Sequence, residues 1–364
     1  MEKIKIKSQN MSKLSEYKEY LRIHPKLTYL FVELTEKCNL NCLHCGSSCS
    51  LSKNNYIVTE VLINTLRQLA SDYDPNTVMI CLTGGEPLLH PDFFMIVKEI
   101  VSLGFPWGIT TNGTLINKDK ARMLRELGLE SVSISLDGLK MTHEWLRDVK
   151  DCFDKTIQAV RYLNNENIPV QITTVIHKKN FHELEELFEL VKSLNVASWR
   201  VINIEPIGRA VENDNLILSY NETIKLLEFI REKRYLRDTD FDVCFGCSHY
   251  LSYKYEHEVR DNYFICGAGI YVGSILCNGD IYSCLDIERR SELVQGNINV
   301  DRFSDIWENK FKEFRENRIY KSAKCASCSE RDFCNADSMH TWNFETNEPM
   351  FCILRKVGIY AVEK

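Results

Sequence analysis

Four cysteines crowd one short stretch, ELTEKCNLNCLHCGSSCS, from Glu33 to Ser50: Cys38, Cys42, Cys45 and Cys49. Thiolates spaced Cys38-x3-Cys42-x2-Cys45 can bind three corners of an iron–sulfur cube and leave one iron without a protein ligand. A zinc ion, with Cys49 or His44 as fourth ligand, is the competing reading of the same spacing. A second set lies towards the C-terminus: Cys266, Cys284, Cys325, Cys328, Cys334 and Cys352, with Cys244, Cys247 and Cys277 nearby in sequence. Fifteen cysteines is a high count for 364 residues. The basic N-terminus MEKIKIKSQNMSK lacks the apolar core of a secretory signal, so metal ligation or redox chemistry outranks a disulfide framework, and a cytoplasmic protein is expected. Cys81 and Cys152 stand alone and read as small buried hydrophobes.

The cysteine loop needs a scaffold, and the sequence supplies one. Six short runs rich in β-branched and aromatic residues predict strands at Thr28–Thr35, Thr77–Thr83, Trp107–Thr111, Ser131–Leu136, Pro169–Ile176 and Trp199–Ile204. Apolar residues at helical spacing fill the intervals, as in FHELEELFELVKSL, where Leu184, Leu187, Phe188, Val191 and Leu194 share a face. Strands alternating with helices predict parallel βαβ units, hence an α/β fold: a partial (β/α)6 TIM-like barrel. Every polar motif follows a strand: EKCNLNC the first, GGEP the second, NGT the third, DG the fourth, His177 the fifth and EPIGR the sixth. The C-terminal strand ends form the working rim of such sheets, so these motifs converge. The expected division is an N-terminal extension at 1–27, a barrel at 28–235 and a small cysteine-rich domain held by metal at 236–364.

A net charge of −6 argues against a dominant role on nucleic acid. No apolar run approaches the length of a membrane span.

With these residues in order, the chain resembles radical S-adenosylmethionine enzymes. CNLNCLHC matches their CxxxCxxC signature, and GGEP, SISLDG and HEWLR follow at the family's places. The resemblance implies that Cys38, Cys42 and Cys45 hold a [4Fe–4S] cluster. It implies that Gly84, Gly85 and Glu86 meet the amino group of S-adenosyl-L-methionine. Ser135 is then expected near the ribose or methionine part, Arg147 at the carboxylate, and Asn112 beside the cofactor. Asp137 reads as a rim carboxylate or a helix cap. The activity implied is reductive cleavage of S-adenosylmethionine to a 5′-deoxyadenosyl radical that takes hydrogen from substrate.

The C-terminal cysteines resemble the SPASM extension of that family, which carries one or two auxiliary iron–sulfur clusters. The resemblance assigns Cys325, Cys328, Cys334 and Cys352 to a distal cluster, and Cys266 and Cys284 to a nearer one with Cys247 or Cys244 upstream. The family pattern expects one more cysteine where this chain has Ser338. Substitution by Ser338 or Cys277, an open iron, or a smaller or absent cluster all follow from that departure. Asp286, two residues after Cys284, is expected to act as a proton acceptor.

The substrate expected from this branch is a ribosomally made peptide, oxidised, crosslinked or epimerised, with a separate leader-binding protein and an external donor of flavodoxin or ferredoxin type. A small-molecule or cofactor-biosynthesis dehydrogenase is the alternative. A zinc-stabilised binding protein is the non-enzymatic one.

Overall fold

Each of the six strand-like runs forms a parallel strand: β1 (Tyr29–Glu33), β2 (Met79–Thr83), β3 (Trp107–Thr111), β4 (Ser131–Ser135), β5 (Val170–Ile176) and β6 (Ser198–Asn203). The structure, a computed structural model, describes residues 2–235, 241–246, 249–261 and 263–356, with side chains from residue 13 onward. Helices α1 (Glu2–Ile23), α2 (Thr59–Asp72), α3 (Phe93–Ser102), α4 (Lys118–Glu126), α5 (Lys140–Arg147), α6 (Cys152–Asn165), α7 (Leu184–Ser193) and α8 (Tyr220–Tyr235) precede, link or follow them. No helix among the described residues is long and apolar enough to cross a membrane.

Strands β2, β4, β5 and β6 alternate in burial. In β5, Val170, Ile172, Thr174 and Ile176 are buried while Gln171, Thr173 and Val175 are half-buried. The buried set faces the helices: Trp199 of β6 packs between Phe188 of α7 and Phe229 of α8, and its indole N–H donates to Thr174 Oγ1 at 2.8 Å. Fully burying an aliphatic or aromatic side chain of this kind contributes about 1.5–3 kcal/mol. The other face is the concave side of the sheet.

Two additions lie outside the six predicted units. β7 (Asp242–Phe245) extends the sheet in parallel beyond β6. At the opposite edge β8 (Val272–Ile275) pairs parallel with β1, and β9 (Asp280–Tyr282) and β10 (Gly296–Asn297) continue from it antiparallel. The sheet order is therefore β10-β9-β8-β1-β2-β3-β4-β5-β6-β7. The expected boundary at 235/236 falls between α8 and β7, inside one hydrogen-bonded sheet. The cysteine-rich segment thus covers the β1 edge, which leaves fewer unpaired backbone groups.

Ion pairs reinforce that junction. Glu33, buried at the end of β1, accepts from Arg289 at 2.6 and 3.1 Å and from the Cys277 backbone N–H at 3.2 Å. Arg302 pairs with Asp72 of α2. The N-terminal segment docks on the same cysteine-rich part: Lys18 donates to the Phe333 carbonyl and Ser15 Oγ to that of Asp332 at 2.8 Å.

Candidate active site and auxiliary metal sites

The loop after β1 folds its thiols inward. Cys38 and Cys42 are buried and Cys45 is partly so, packed with Leu40, Cys49 and Cys152. Burial pushes the Cys38 thiol up to about 12, and it raises Cys42 too, so loading a metal here must displace protons. N–H donors already point at the sulfurs: Leu40 at Cys38 (3.4 Å), and Arg147 Nη1 at Cys42 (3.4 Å). The Cys49 thiol donates to the Ser47 carbonyl (3.7 Å), and its closeness to Cys45 favours the Cys45 thiolate. Three cysteines on one loop, with N–H donors on two of the sulfurs, fit a thiolate-bound cluster.

Main-chain contacts hold the loop in place. Arg209, in the EPIGR segment after β6, donates from Nε to the Cys42 carbonyl (2.7 Å), from Nη1 to that of Cys49 (2.9 Å), and from its backbone N–H to that of Cys45 (3.1 Å). Gly208 has φ +58°, and a Cβ there would stand 2.4 Å from the Gly46 carbonyl oxygen. The position of EPIGR after a strand implies the rim but not this role. An arginine following a glycine at a strand end is the only local signal.

GGEP joins the same loop. A Cβ on Gly85 would lie 2.3 Å from the Lys37 carbonyl oxygen, and one on Gly84 (φ +147°) 2.5 Å from that of Thr35. The glycines therefore let two chain segments touch. Glu86, expected to offer its carboxylate to an ammonium group, is fully buried instead. It accepts from Thr111 Oγ1 (2.8 and 2.9 Å), from the Asn112 N–H (2.9 Å) and from the Leu88 N–H (3.3 Å). Burial outweighs these bonds and raises its pKa to about 7. Its carboxylate ties β2 to β3. Among the described residues the carbonyls of Gly84 and Gly85 receive no hydrogen bond, and they are the acceptors this segment has available.

Asn112 likewise points inward, with Nδ2 at Asn39 Oδ1 (3.0 Å) and Cys38 Sγ (3.9 Å), while its Oδ1 accepts from Thr114. It steadies the cysteine loop.

Arg147 departs further from expectation. Rather than reaching outward for a carboxylate, its guanidinium pairs with Asp137 and touches Cys42, and all three are buried. A carboxylate with no solvent access needs a cation beside it. Burial alone would raise the Asp137 carboxyl, but Arg147, His44 and His143 outweigh it and hold it at about 2. Asp137 Oδ1 accepts the Val175 N–H at 2.8 Å, so Asp137 is an internal anchor; it does not cap α5, whose N-cap residue is Leu139. Burial lowers His44 to about 3 and His143 and His177 to about 4, keeping all three neutral. Among the described residues His44 Nδ1, His177 Nε2 and Arg147 Nε have no hydrogen-bond partner, which fits a polar ligand at this rim.

The concave face was not anticipated. Register aligns Ser135, Thr173, Arg200 and Cys244 across β4 to β7, and Ser133, Gln171, Ser198 and Asp242 one step below. The period-two pattern SVSIS and SWRVIN carried this signal. Ser135 thus sits on the face a substrate would meet.

In the C-terminal part, Cys325, Cys328, Cys334 and Cys352 line one cavity with Tyr250 and Phe351. Asn335, Ala336 and Asp337 take left-handed φ of 57°, 65° and 65°, and the Asp337 N–H reaches Cys334 Sγ at 3.2 Å. Three such residues in succession are costly, and they re-aim the chain beside a candidate ligand. This set fits a distal four-thiolate cluster. Cys266 lines a neighbouring cavity with Lys18, Arg22, Arg318 and Cys334. Cys284 instead faces His340, with Sγ to Nε2 at 3.6 Å, and Asp286 is close to both. Ser338 is fully buried and its Oγ accepts the His340 N–H. Cys247 lies outside the described residues, and Cys244 sits on β7. No disulfide joins cysteines among the described residues.

The chain is similar to known proteins over both of its parts. Residues 32–191 match the Radical SAM superfamily, and residues 266–329 match SPASM, an iron–sulfur cluster-binding domain. An AdoMet-dependent heme synthase of Methanosarcina barkeri is 29% identical over 348 residues, spanning 89% of this chain and 95% of that protein. A probable GTP 3′,8-cyclase of Saccharolobus islandicus is 32% identical over 215 residues, spanning 57% and 68%. The crystal structure of Streptococcus suis SuiB bound to S-adenosylmethionine superposes with a TM-score of 0.70 at 20% identity, covering 86% of this chain and 73% of that one.

Proposed function

Since the chain belongs to the radical S-adenosylmethionine superfamily and carries a SPASM iron–sulfur domain, we propose that it modifies a polar small molecule bearing an anionic group, in the formation of a cofactor. Its cofactors are S-adenosylmethionine, a [4Fe–4S] cluster and auxiliary iron–sulfur chemistry in the SPASM domain. When bound, they supply one-electron cleavage of the sulfonium and a 5′-deoxyadenosyl radical that abstracts hydrogen.

The protein's own residues then have distinct tasks. Cys38, Cys42 and Cys45 hold the cluster, with Arg209 and Asn112 fixing their loop. The main-chain carbonyls of Gly84 and Gly85 accept from the cofactor's ammonium, since the Glu86 carboxylate is occupied between β2 and β3. Arg147 and Asp137 set the electrostatics under Cys42. Cys325, Cys328, Cys334 and Cys352 hold a distal cluster that exchanges electrons with substrate or an external donor.

The observation that carries the substrate reading is the concave row Ser135–Thr173–Arg200–Cys244, with hydroxyls and a guanidinium in register below the rim. It suits hydroxyl and carboxylate or phosphate groups. The heme synthase relative, aligned along nearly its whole length, supports a small-molecule substrate. A peptide is the second reading, supported by the SuiB fold, which has been solved with its precursor peptide SuiA.

The deciding experiment incubates anaerobically reconstituted enzyme with S-adenosylmethionine and a reductant. A carboxylated iron porphyrin, GTP, and a peptide encoded beside the gene are added separately. Substrate-stimulated 5′-deoxyadenosine with a changed mass for the small molecules supports this reading. Stimulation by the peptide alone overturns it.

A further inference from the structure

We propose that Cys284, His340 and Asp286 form a binding site for a single divalent metal ion, with zinc the best-suited occupant, in place of the iron–sulfur cube that the SPASM pattern leads one to expect there.

The geometry argues for one ion. The donor atoms of Cys284, Asp286 and His340 all lie within 4.8 Å of one another. Cys284 Sγ and His340 Nε2 are 3.6 Å apart. A tetrahedral ion with a metal–sulfur bond of about 2.3 Å and a metal–nitrogen bond of about 2.0–2.1 Å holds those two atoms about 3.5–3.6 Å apart. In a cube each iron takes one protein ligand, and the cluster's own atoms separate neighbouring ligands widely. Two protein donors this close therefore suit the same metal.

The sequence explains why the site differs. Where the pattern has a cysteine, this chain has Ser338, fully buried, with its hydroxyl accepting the His340 N–H at 3.0 Å. That bond starts the short 3-10 turn Met339–Thr341 and presents His340 towards the loop after β9. His340 is 8% exposed, and its Nε2 faces Cys284. Cys266 lies with Lys18, Arg318 and Cys334 at a different cavity and is not part of the group. Thiolate, imidazole and carboxylate together suit zinc, and three protein ligands leave a fourth position for water or a substrate group. Asp286 is exposed, so that position is reachable from solvent.

The test uses cobalt as a spectroscopic probe. Reconstituted holoenzyme is treated with a mild chelator that leaves cluster iron and sulfide unchanged, then titrated with Co2+. Wild type is expected to bind one Co2+ per chain with a thiolate-to-cobalt absorption band. His340→Ala and Asp286→Asn should each weaken binding at least about 100-fold, beyond the usual loss of an outer-shell partner, with iron and sulfide content unchanged. His340→Cys should restore binding. Asp286 lies exposed on a loop, so Asp286→Asn reports even if His340→Ala misfolds. Absence of Co2+ binding by wild type, or wild-type binding by Asp286→Asn, overturns the site. Loss of cluster sulfide in Asp286→Asn overturns it too, by assigning these residues to a cluster.

Discussion

Arg147 and Asp137 form a buried ion pair in direct contact with the sulfur of Cys42. Neither charge has solvent to fall back on, so each depends on the other. Replacing Arg147 with Met should destabilise the protein by about 3–5 kcal/mol, the cost of leaving a buried charge alone. Denaturant melts of wild type and variant measure this. The double variant with Asp137→Asn should recover a large part of the loss, and the same pair of melts decides it.

Glu86 makes stability depend on pH. Its folded pKa of about 7 lies above the usual carboxyl value, so the folded state holds the proton more tightly than the unfolded chain. That contribution is complete below about 4.5, the unfolded value. It is lost as pH rises through about 7, an effect on the order of 3 kcal/mol. In Glu86→Gln this slope between pH 4.5 and 7 should vanish. Stability should also drop by about 1–3 kcal/mol: an amide oxygen can still accept from Asn112 and Thr111, but the amide NH2 that replaces Oε1 cannot accept the Leu88 N–H.

The loop after β1 depends on the segment after β6. Arg209→Ala removes donors from the Cys42 and Cys49 carbonyls and should cost about 1.5–3 kcal/mol. Gly208→Ala forces a Cβ against the Gly46 carbonyl in a left-handed conformation. Both variants should lose iron on desalting faster than wild type, measured by iron and sulfide analysis over time.

Cysteine variants separate the roles of the thiols. Cys42→Ala should abolish 5′-deoxyadenosine formation, while Cys49→Ala should keep its iron, because the Cys49 thiol donates to the Ser47 carbonyl and falls outside the Cys38-x3-Cys42-x2-Cys45 ligand spacing. Cys328→Ala should lose the iron of one cluster yet still cleave S-adenosylmethionine without coupling it to product. Iron content and product analysis by mass spectrometry check all three.

Arg200 stands in register between Thr173 and Cys244 on the concave face. Arg200→Gln should reduce product formation about 10–100-fold, the loss of a charge-assisted hydrogen bond of 1.5–3 kcal/mol. Uncoupled 5′-deoxyadenosine should stay near wild-type levels. An equal fall in both would place Arg200 at the cofactor instead.

Much of the architecture was legible in the chain. β-branched runs spaced by amphipathic helices specify parallel strands locally, and a cysteine triplet after the first strand needs only the direction of that strand to reach the rim. The seventh strand was harder to read: DVCF is four residues long and lies at the start of the cysteine-rich segment, where metal ligation was the stronger signal. The alternation SVSIS was visible, but which of its faces lines the concave side depends on where the helices pack.

Local sequence determined the βα order, the placement of polar motifs on one rim, and the ligand spacing of Cys38, Cys42 and Cys45. Those features depend on neighbours a few residues apart. Tertiary structure decided the partners of the charged and coordinating groups. Arg147 meets Cys42 across 105 positions, Arg289 meets Glu33 across 256, and His340 meets Cys284 across 56. Burial then chose among the options each side chain had. Glu86 and Arg147 look like ligand-binding groups in sequence, but enclosed between strands and beneath the loop they must satisfy one another's neighbours before any cofactor.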